Sequence, residues 1–131
     1  MNDRNPLTFS GRLRSMKYAV RGIGIMVRSQ HNAWIQALAT VVVAVVGLAA
    51  RLSTAEWCWI VLAIVAVWTA EALNTAFEFL TDVASPSFHP VAGKAKDVAA
   101  GAVLIAAAGS ALIGGLVLGP HVAQWLFSSG L

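Results

Sequence analysis

Four residues of one segment, Glu71, Asn74, Glu78 and Asp82, follow one another at intervals of three, four and four. On a helix this spacing places them within about 80° on one face. Three of the four are acids, and the residues upstream of them are apolar. An ionised carboxylate at the centre of a bilayer costs about 3 kcal/mol on insertion scales, so such a stripe needs a partner or a purpose. Interhelical hydrogen bonding by protonated acids is the structural reading, but a single Asn would supply it at lower cost. The functional readings are a proton or cation pathway, and a site where carboxylates hold a divalent metal while a deeper one takes a proton from a hydroxyl.

The segment that follows favours the second of these. Ser85-Pro-Ser87-Phe88-His89-Pro90 leads into Lys94-Ala-Lys96-Asp97, and lysines neutralise phosphates. Acids for metal, cations for phosphate and a buried base together suit phosphoryl transfer to an alcohol held in a bilayer. Gly93-Lys94-Ala95 is not a Walker phosphate loop, because the leading Gly and the Ser or Thr after the Lys are missing. Seen alone, the two lysines would mark topology and His89 would be a loop residue. Lone Cys58 reads as a packing residue and allows no intramolecular disulfide.

The elements that must position these groups follow from composition. Of 131 residues, 58% are hydrophobic and 11% charged, with mean hydropathy +0.73; an ordinary soluble domain is roughly 25% charged. Charge-free runs cover 33–50, 57–70 and 98–119, and about 18 such residues suffice to span a bilayer. The middle run continues in a helix-favouring pattern through the acidic stripe. The expected fold is therefore all-α and integral to the membrane, a single membrane domain over 1–131 with spans at 33–51, 56–81 and 97–119. Ser53-Thr-Ala-Glu56 is a capping box for the second span. Ala106, Ser110 and Gly114 form a small-residue series that permits close packing of the third.

Residues 10–29 project as an amphipathic helix ahead of the first span. Arg14, Lys17, Arg21 and Arg28 cluster within about 60° of one another, opposite Leu13, Met16, Val20, Ile23 and Val27. Arg12 falls on the apolar side. Such a helix lies at the headgroup level, held by anionic lipid; a cleaved secretory signal would have a shorter basic region. Six of the nine Lys and Arg precede the first span: Arg4, Arg12, Arg14, Lys17, Arg21 and Arg28. Arg51 alone marks the first loop, Lys94 and Lys96 the second, and the tail after Pro120 has none. This bias puts the N-terminus and second loop in the cytoplasm. The net charge of +3 then reads as topology, with no nucleic-acid partner expected, since zinc-ligand spacing and RNA-binding aromatic motifs are missing. In that orientation the stripe runs inward from Asp82, with Glu71 about 16 Å deeper.

Glu71-Ala-Leu-Asn74-Thr-Ala-Phe-Glu78-Phe-Leu-Thr-Asp82, then His89, then Ala95-Lys96-Asp97-Val-Ala-Ala-Gly-Ala-Val-Leu, closely resembles the prokaryotic diacylglycerol kinase family, which includes the Gram-positive undecaprenol kinases. The resemblance extends over residues 10 to 119 and takes in Arg12-Leu-Arg-Ser-Met-Lys-Tyr18-Ala-Val-Arg-Gly22. It implies a homotrimer of three-span protomers in the inner membrane, with composite active sites at its cytoplasmic surface, phosphorylating diacylglycerol or undecaprenol with ATP and magnesium. It implies Glu71 as general base in contact with the lipid substrate, Asn74 orienting substrate or phosphate, and Glu78 as the carboxylate on magnesium. It places Lys96 near the ATP phosphates and Asp97 near the nucleoside. Asp82, Ser87, Phe88, His89 and Tyr18 are implied around the nucleotide.

The chain departs from the family at Gln30-His31-Asn32, where Glu-x-Asn is common and its Glu is a second metal ligand. Gln30 keeps an amide oxygen for magnesium and nucleotide but removes a negative charge. Gln36, where undecaprenol kinases often carry His, is a second departure. Two other functions compete with a lipid kinase: a small proton-coupled transporter or channel subunit working through Glu71 and Glu78, and a non-catalytic membrane scaffold descended from the family. A transporter would show flux without ATP consumption, and a scaffold no turnover at all.

Overall fold

The computed structural model describes residues 8–128; Arg4 of the basic cluster and residues 129–131 lie outside them. Four helices account for nearly all of it: α1 (Phe9–Ser29), α2 (His31–Ala49), α3 (Thr54–Ala84) and α4 (Pro90–Ser128). The last three are long and apolar enough to cross a membrane, and among the described residues there is no strand. α3 packs chiefly on α4, α2 on α3, and α1 rests against α2 and the C-terminal half of α3.

Helix ends follow local chemistry. Thr8 caps α1 by accepting from Gly11 N at 3.2 Å. The capping box of α3 forms: Ser53 Oγ accepts from Glu56 N at 3.4 Å, and Glu56 Oε2 accepts from Ser53 N at 2.7 Å. α2 stops at Ala49 because Arg51 takes a left-handed conformation with φ 53°. Arg51 N donates to Leu48 O and Leu52 N to Gly47 O, which is the Schellman pattern of C-cap bonds. Glycine usually fills that position, since a side chain there costs roughly 1–2 kcal/mol.

α4 is longer at both ends than the 97–119 expected for the third span. Pro90 opens it, at a position where a missing N–H is no loss. At the other end the helix continues through Pro120, whose ring withholds one amide from the ladder. There His121 reaches Glu56 of α3, with Nε2 2.8 Å from Oε1. This tie between the ends of α3 and α4 joins residues far apart in sequence.

Small residues set the helix spacing. A Cβ at Gly47 would lie 2.9 Å from Trp57 Cη2 and 3.1 Å from Leu52 Cδ1, so α2 approaches the start of α3 only with glycine there. Ser110 Oγ donates to Ala63 O across the α3–α4 seam at 2.9 Å, within the small-residue series. Trp68 Nε1 donates to Thr40 Oγ1 at 3.1 Å, joining α2 and α3. Fully buried apolar residues are few, Ile60 and Ala33 among them, and the apolar flanks of all three long helices face outward. For a chain of this composition the solvent of those flanks is lipid. Cys58 also lies exposed rather than packed inside the chain.

Candidate active site

The site begins at the break between α1 and α2. Gln30 adopts an extended conformation (φ −108°, ψ 120°), so that one residue ends α1 and starts α2. Its N–H closes α1 on Met26 O and its carbonyl accepts from Ala33 N. Ser, Thr, Asp or Asn would normally cap a helix here with a side-chain oxygen. Gln30 makes no such cap; its side chain crosses to α3 instead, where Nε2 donates to Glu78 Oε2 at 2.5 Å.

Two carboxylates of the stripe are thus each met by a glutamine of α2 or its cap. Gln36 Nε2 donates to Glu71 Oε2 at 2.9 Å. Asn74, between the two acids, donates Nδ2 to Glu78 Oε1 at 3.1 Å. Gln30, Gln36, Glu71, Asn74 and Glu78 line one cavity of about 350 Å³, closed on the far side by apolar residues of α4 such as Val103 and Ala107. Glu71 is fully buried (0% exposed) and Asn74 nearly so. Thr75 beside them spends its hydroxyl on Glu71 O at 2.9 Å.

The unmet hydrogen-bonding capacity of this cavity is all of one kind. Gln36 Oε1, Glu71 Oε1 and Asn74 Oδ1 are buried with no partner, and each is an acceptor. A buried polar atom left without a partner costs about 1–3 kcal/mol, and one hydrogen bond to a buried carboxylate returns only part of its desolvation cost. The three acceptors belong to residues that line the cavity, and an acceptor of this kind suits a hydroxyl group or a hard cation.

In its chemistry the donor set suits magnesium, once the amides of Gln30 and Asn74, which here present nitrogen to the two oxygens of Glu78, turn to present oxygen. Glu78, the amide oxygen of Gln30 and Asn74 Oδ1 are hard oxygen donors, and magnesium is usually held by one or two carboxylates, with water and substrate phosphates completing its octahedron. Among the described residues no group of three or more His, Cys, Asp or Glu side chains could hold a metal, so the oxygens here would form an open face and not a closed cage.

Other expected site residues lie apart from this cavity. Asp82 continues the stripe but turns outward and pairs with Lys96 of α4. Both are partly exposed, at the end of the cavity where Glu78 sits. Tyr18, Ser87, Phe88, His89 and Asp97 do not line the cavity; all five are exposed, Phe88 most of all at 91%. His89 Nδ1 accepts from Val91 N at 3.2 Å, a local bond at the start of α4. Lys94 borders a different, apolar cleft between α3 and α4, which Asn74 also touches. The residue that sequence reasoning left without a role is Gln36: it stands there only as a departure from the family, and its contact with Glu71 is tertiary.

A family model described as prokaryotic diacylglycerol kinase matches residues 17–118. Undecaprenol kinase of Bacillus subtilis (strain 168) is 39% identical over 109 residues, covering 83% of this chain and 89% of that protein. Diacylglycerol kinase of Synechocystis sp. is 35% identical over 109 residues, covering 82% of this chain and 62% of that protein. The chain belongs to the prokaryotic diacylglycerol kinase family and is, by that membership, a membrane-embedded lipid kinase.

Proposed function

We propose that the protein transfers the γ-phosphoryl group of ATP, with magnesium, to the hydroxyl of a membrane lipid alcohol, diacylglycerol or undecaprenol, at the cytoplasmic face of the inner membrane. The observation that carries this reading is the fully buried Glu71 in the polar cavity, whose Oε1 accepts no hydrogen bond from the protein. Gln36 holds the other oxygen, Oε2, and the Glu71 side chain lines the cavity. A lipid hydroxyl entering there donates to Oε1; as its oxygen attacks the γ-phosphorus its proton passes to Glu71, the bond from that phosphorus to the β–γ bridging oxygen breaks, and ADP leaves.

Around that step the remaining residues bind and orient. Glu78, with Asn74 and Gln30, would hold magnesium, which supplies charge compensation on the phosphates when bound with ATP. Lys96, paired with Asp82 one turn beyond Glu78, would neutralise the phosphates of the nucleotide. Catalysis then rests on placement and charge more than on covalent chemistry. With Gln30 in place of a carboxylate the metal site carries one negative charge fewer, which weakens metal affinity without removing an oxygen ligand.

The basic bias of α1 and the second loop supports an N-terminus on the cytoplasmic side, which brings the Asp82 end of the stripe to the water that contains ATP. Tyr18, Ser87, Phe88, His89 and Asp97 lie outside the cavity of one protomer. A homotrimer in which neighbouring protomers share each site would bring these residues to the nucleotide.

The test is direct. Protein reconstituted in vesicles with γ-labelled ATP, magnesium and a panel of lipid alcohols is expected to label diacylglycerol or undecaprenol. A panel that stays unlabelled, or proton flux without ATP consumption, would contradict the reading.

A further inference from the structure

Tryptophan in a membrane helix is enriched near the ends, where its ring sits at the headgroup level and its N–H finds water. Trp34, Trp57, Trp59 and Trp125 follow that rule, each lying close to a helix end. Trp68 does not. It stands near the midpoint of α3 and three residues before Glu71, at a depth where an indole N–H must be met by the protein itself.

The partner is Thr40 of α2. Trp68 Nε1 donates to Thr40 Oγ1 at 3.1 Å, and Thr40 Oγ1 donates to Gln36 O at 2.8 Å. An indole only donates and a carbonyl only accepts, so the polarity of this chain is fixed and the hydroxyl between them is committed at both ends. Gln36 then returns to α3 through its side chain, donating to Glu71 Oε2 at 2.9 Å. Trp68 and Glu71 on one helix and Thr40 and Gln36 on the other therefore close a ring, about one turn of each helix high.

Such a ring sets what packing leaves open. α2 packs on α3 far less extensively than α4 does, and its contact through Gly47 and Trp57 is apolar, hence non-directional. The Gln36 amide reaches Glu71 only while α2 keeps both its height along α3 and its rotation. A shift of one residue turns a helix by about 100° and would carry Gln36 off the seam. Two directional rungs a turn apart fix both quantities. One rung is the contact with the carboxylate; the other is Trp68 on Thr40. Neither Trp68 nor Thr40 lines the Glu71 cavity, so their route to the site runs through Gln36.

We propose that Trp68 and Thr40 are positioning residues for phosphoryl transfer: their hydrogen bond keeps α2 in the register that delivers Gln36 to Glu71. The proposal rests on the lipid kinase reading above, with Glu71 as the base. Loss of this rung leaves every group of the cavity present but lets the glutamine drift. The cost then falls on the proton-accepting step and spares the nucleotide, whose proposed contacts lie at the Glu78 end.

Steady-state kinetics of the full-length protein in vesicles tests this, with magnesium, ATP and the lipid alcohol that the unmodified protein phosphorylates. Thr40→Val keeps the size of the side chain and removes the hydroxyl, while Trp68→Phe removes the donor. Each is expected to lower kcat by about two- to tenfold, as for one neutral hydrogen bond, with KM for ATP changed by less than about twofold. Thr40→Ser, which keeps the hydroxyl and loses the methyl, is expected to recover most of the loss seen in Thr40→Val. Combined with Gln36→Leu, Thr40→Val or Trp68→Phe is expected to lower kcat by less than about twofold more, because residues acting through one contact are not additive. Four results overturn the proposal and leave the kinase reading standing: equal losses in Thr40→Ser and Thr40→Val, full additivity with Gln36→Leu, a loss shared equally by kcat and ATP affinity, or unchanged kcat in both Thr40→Val and Trp68→Phe. An unmodified protein that phosphorylates no lipid alcohol overturns both.

Discussion

Two carboxylates of α3, Glu56 near its start and Glu71 past its middle, each meet a residue of another helix, His121 and Gln36, and they are held in opposite ways. Glu56 is saturated: Oε2 accepts from Ser53 N and Ser53 Oγ, at 2.7 and 2.6 Å, and Oε1 meets His121. It remains part-exposed at the end of the helix. Glu71 is fully buried, accepts one hydrogen bond from Gln36 and leaves Oε1 with none. A satisfied acid at a helix end caps and ties; a buried acid with an unpartnered oxygen costs stability. On the proposed reading the same residue type on one helix is structural at one end and chemical at the other, and hydrogen-bond accounting separates the two.

Each half of this comparison can be broken by substitution. The largest effect is expected at Glu78→Ala, which removes the carboxylate proposed to hold magnesium. Turnover should fall by at least about a hundredfold, because charge stabilisation by a bound metal is worth several kcal/mol and each 1.4 is tenfold. The magnesium dependence of ATP binding, followed by titration with a fluorescent nucleotide, should weaken at the same time. Unchanged magnesium dependence would remove Glu78 from the metal site.

Next comes Gln36→Leu. Loss of a hydrogen bond to a carboxylate, worth about 1.5–3 kcal/mol, should lower kcat by about ten- to a hundredfold through misplacement of Glu71, with little change in KM for ATP. Gln36→His, which retains a donor, should recover part of the rate. Equal losses in both variants would show that Gln36 acts by packing and not by aiming the carboxylate.

The smallest effects on activity are expected at the other carboxylate. Ser53→Ala should cost about 1 kcal/mol of stability, the usual value of an N-cap, and Glu56→Gln or His121→Ala should lower the melting temperature. Phosphoryl transfer at a temperature where each variant is folded should stay at the unmodified level. A loss of turnover in Glu56→Gln as deep as that at Glu71 would erase the distinction between the two ends.

Much of this arrangement was legible in the sequence because it is local. Three apolar runs and the amphipathic segment before them follow from composition and period. Ser53 and Glu56 form a capping box by spacing alone, and the intervals between Glu71, Asn74 and Glu78 put them on one face, where the cavity now lies. What escaped is tertiary. No periodicity couples Gln36 to Glu71 or His121 to Glu56, and Pro120 in the sequence argued for an end to a helix that continues to Ser128. The left-handed Arg51 was hidden for a related reason: the turn is set by Leu52 folding back on Gly47, and Arg carries no signal for it. Asp82 shares the stripe's spacing but not its environment, since helix geometry fixes direction and neighbours decide burial.

The central claim is that Glu71 is the buried base whose free oxygen takes the proton of the lipid hydroxyl. Steady-state kinetics of Glu71→Gln in vesicles tests it most directly, since the amide keeps the shape and loses the basicity. The expected result is a fall in kcat of about 10²–10⁴, with KM for ATP changed by less than about twofold, as for an interaction made only in the transition state. An equal loss of turnover and ATP affinity, or a variant as active as the unmodified protein, would contradict it.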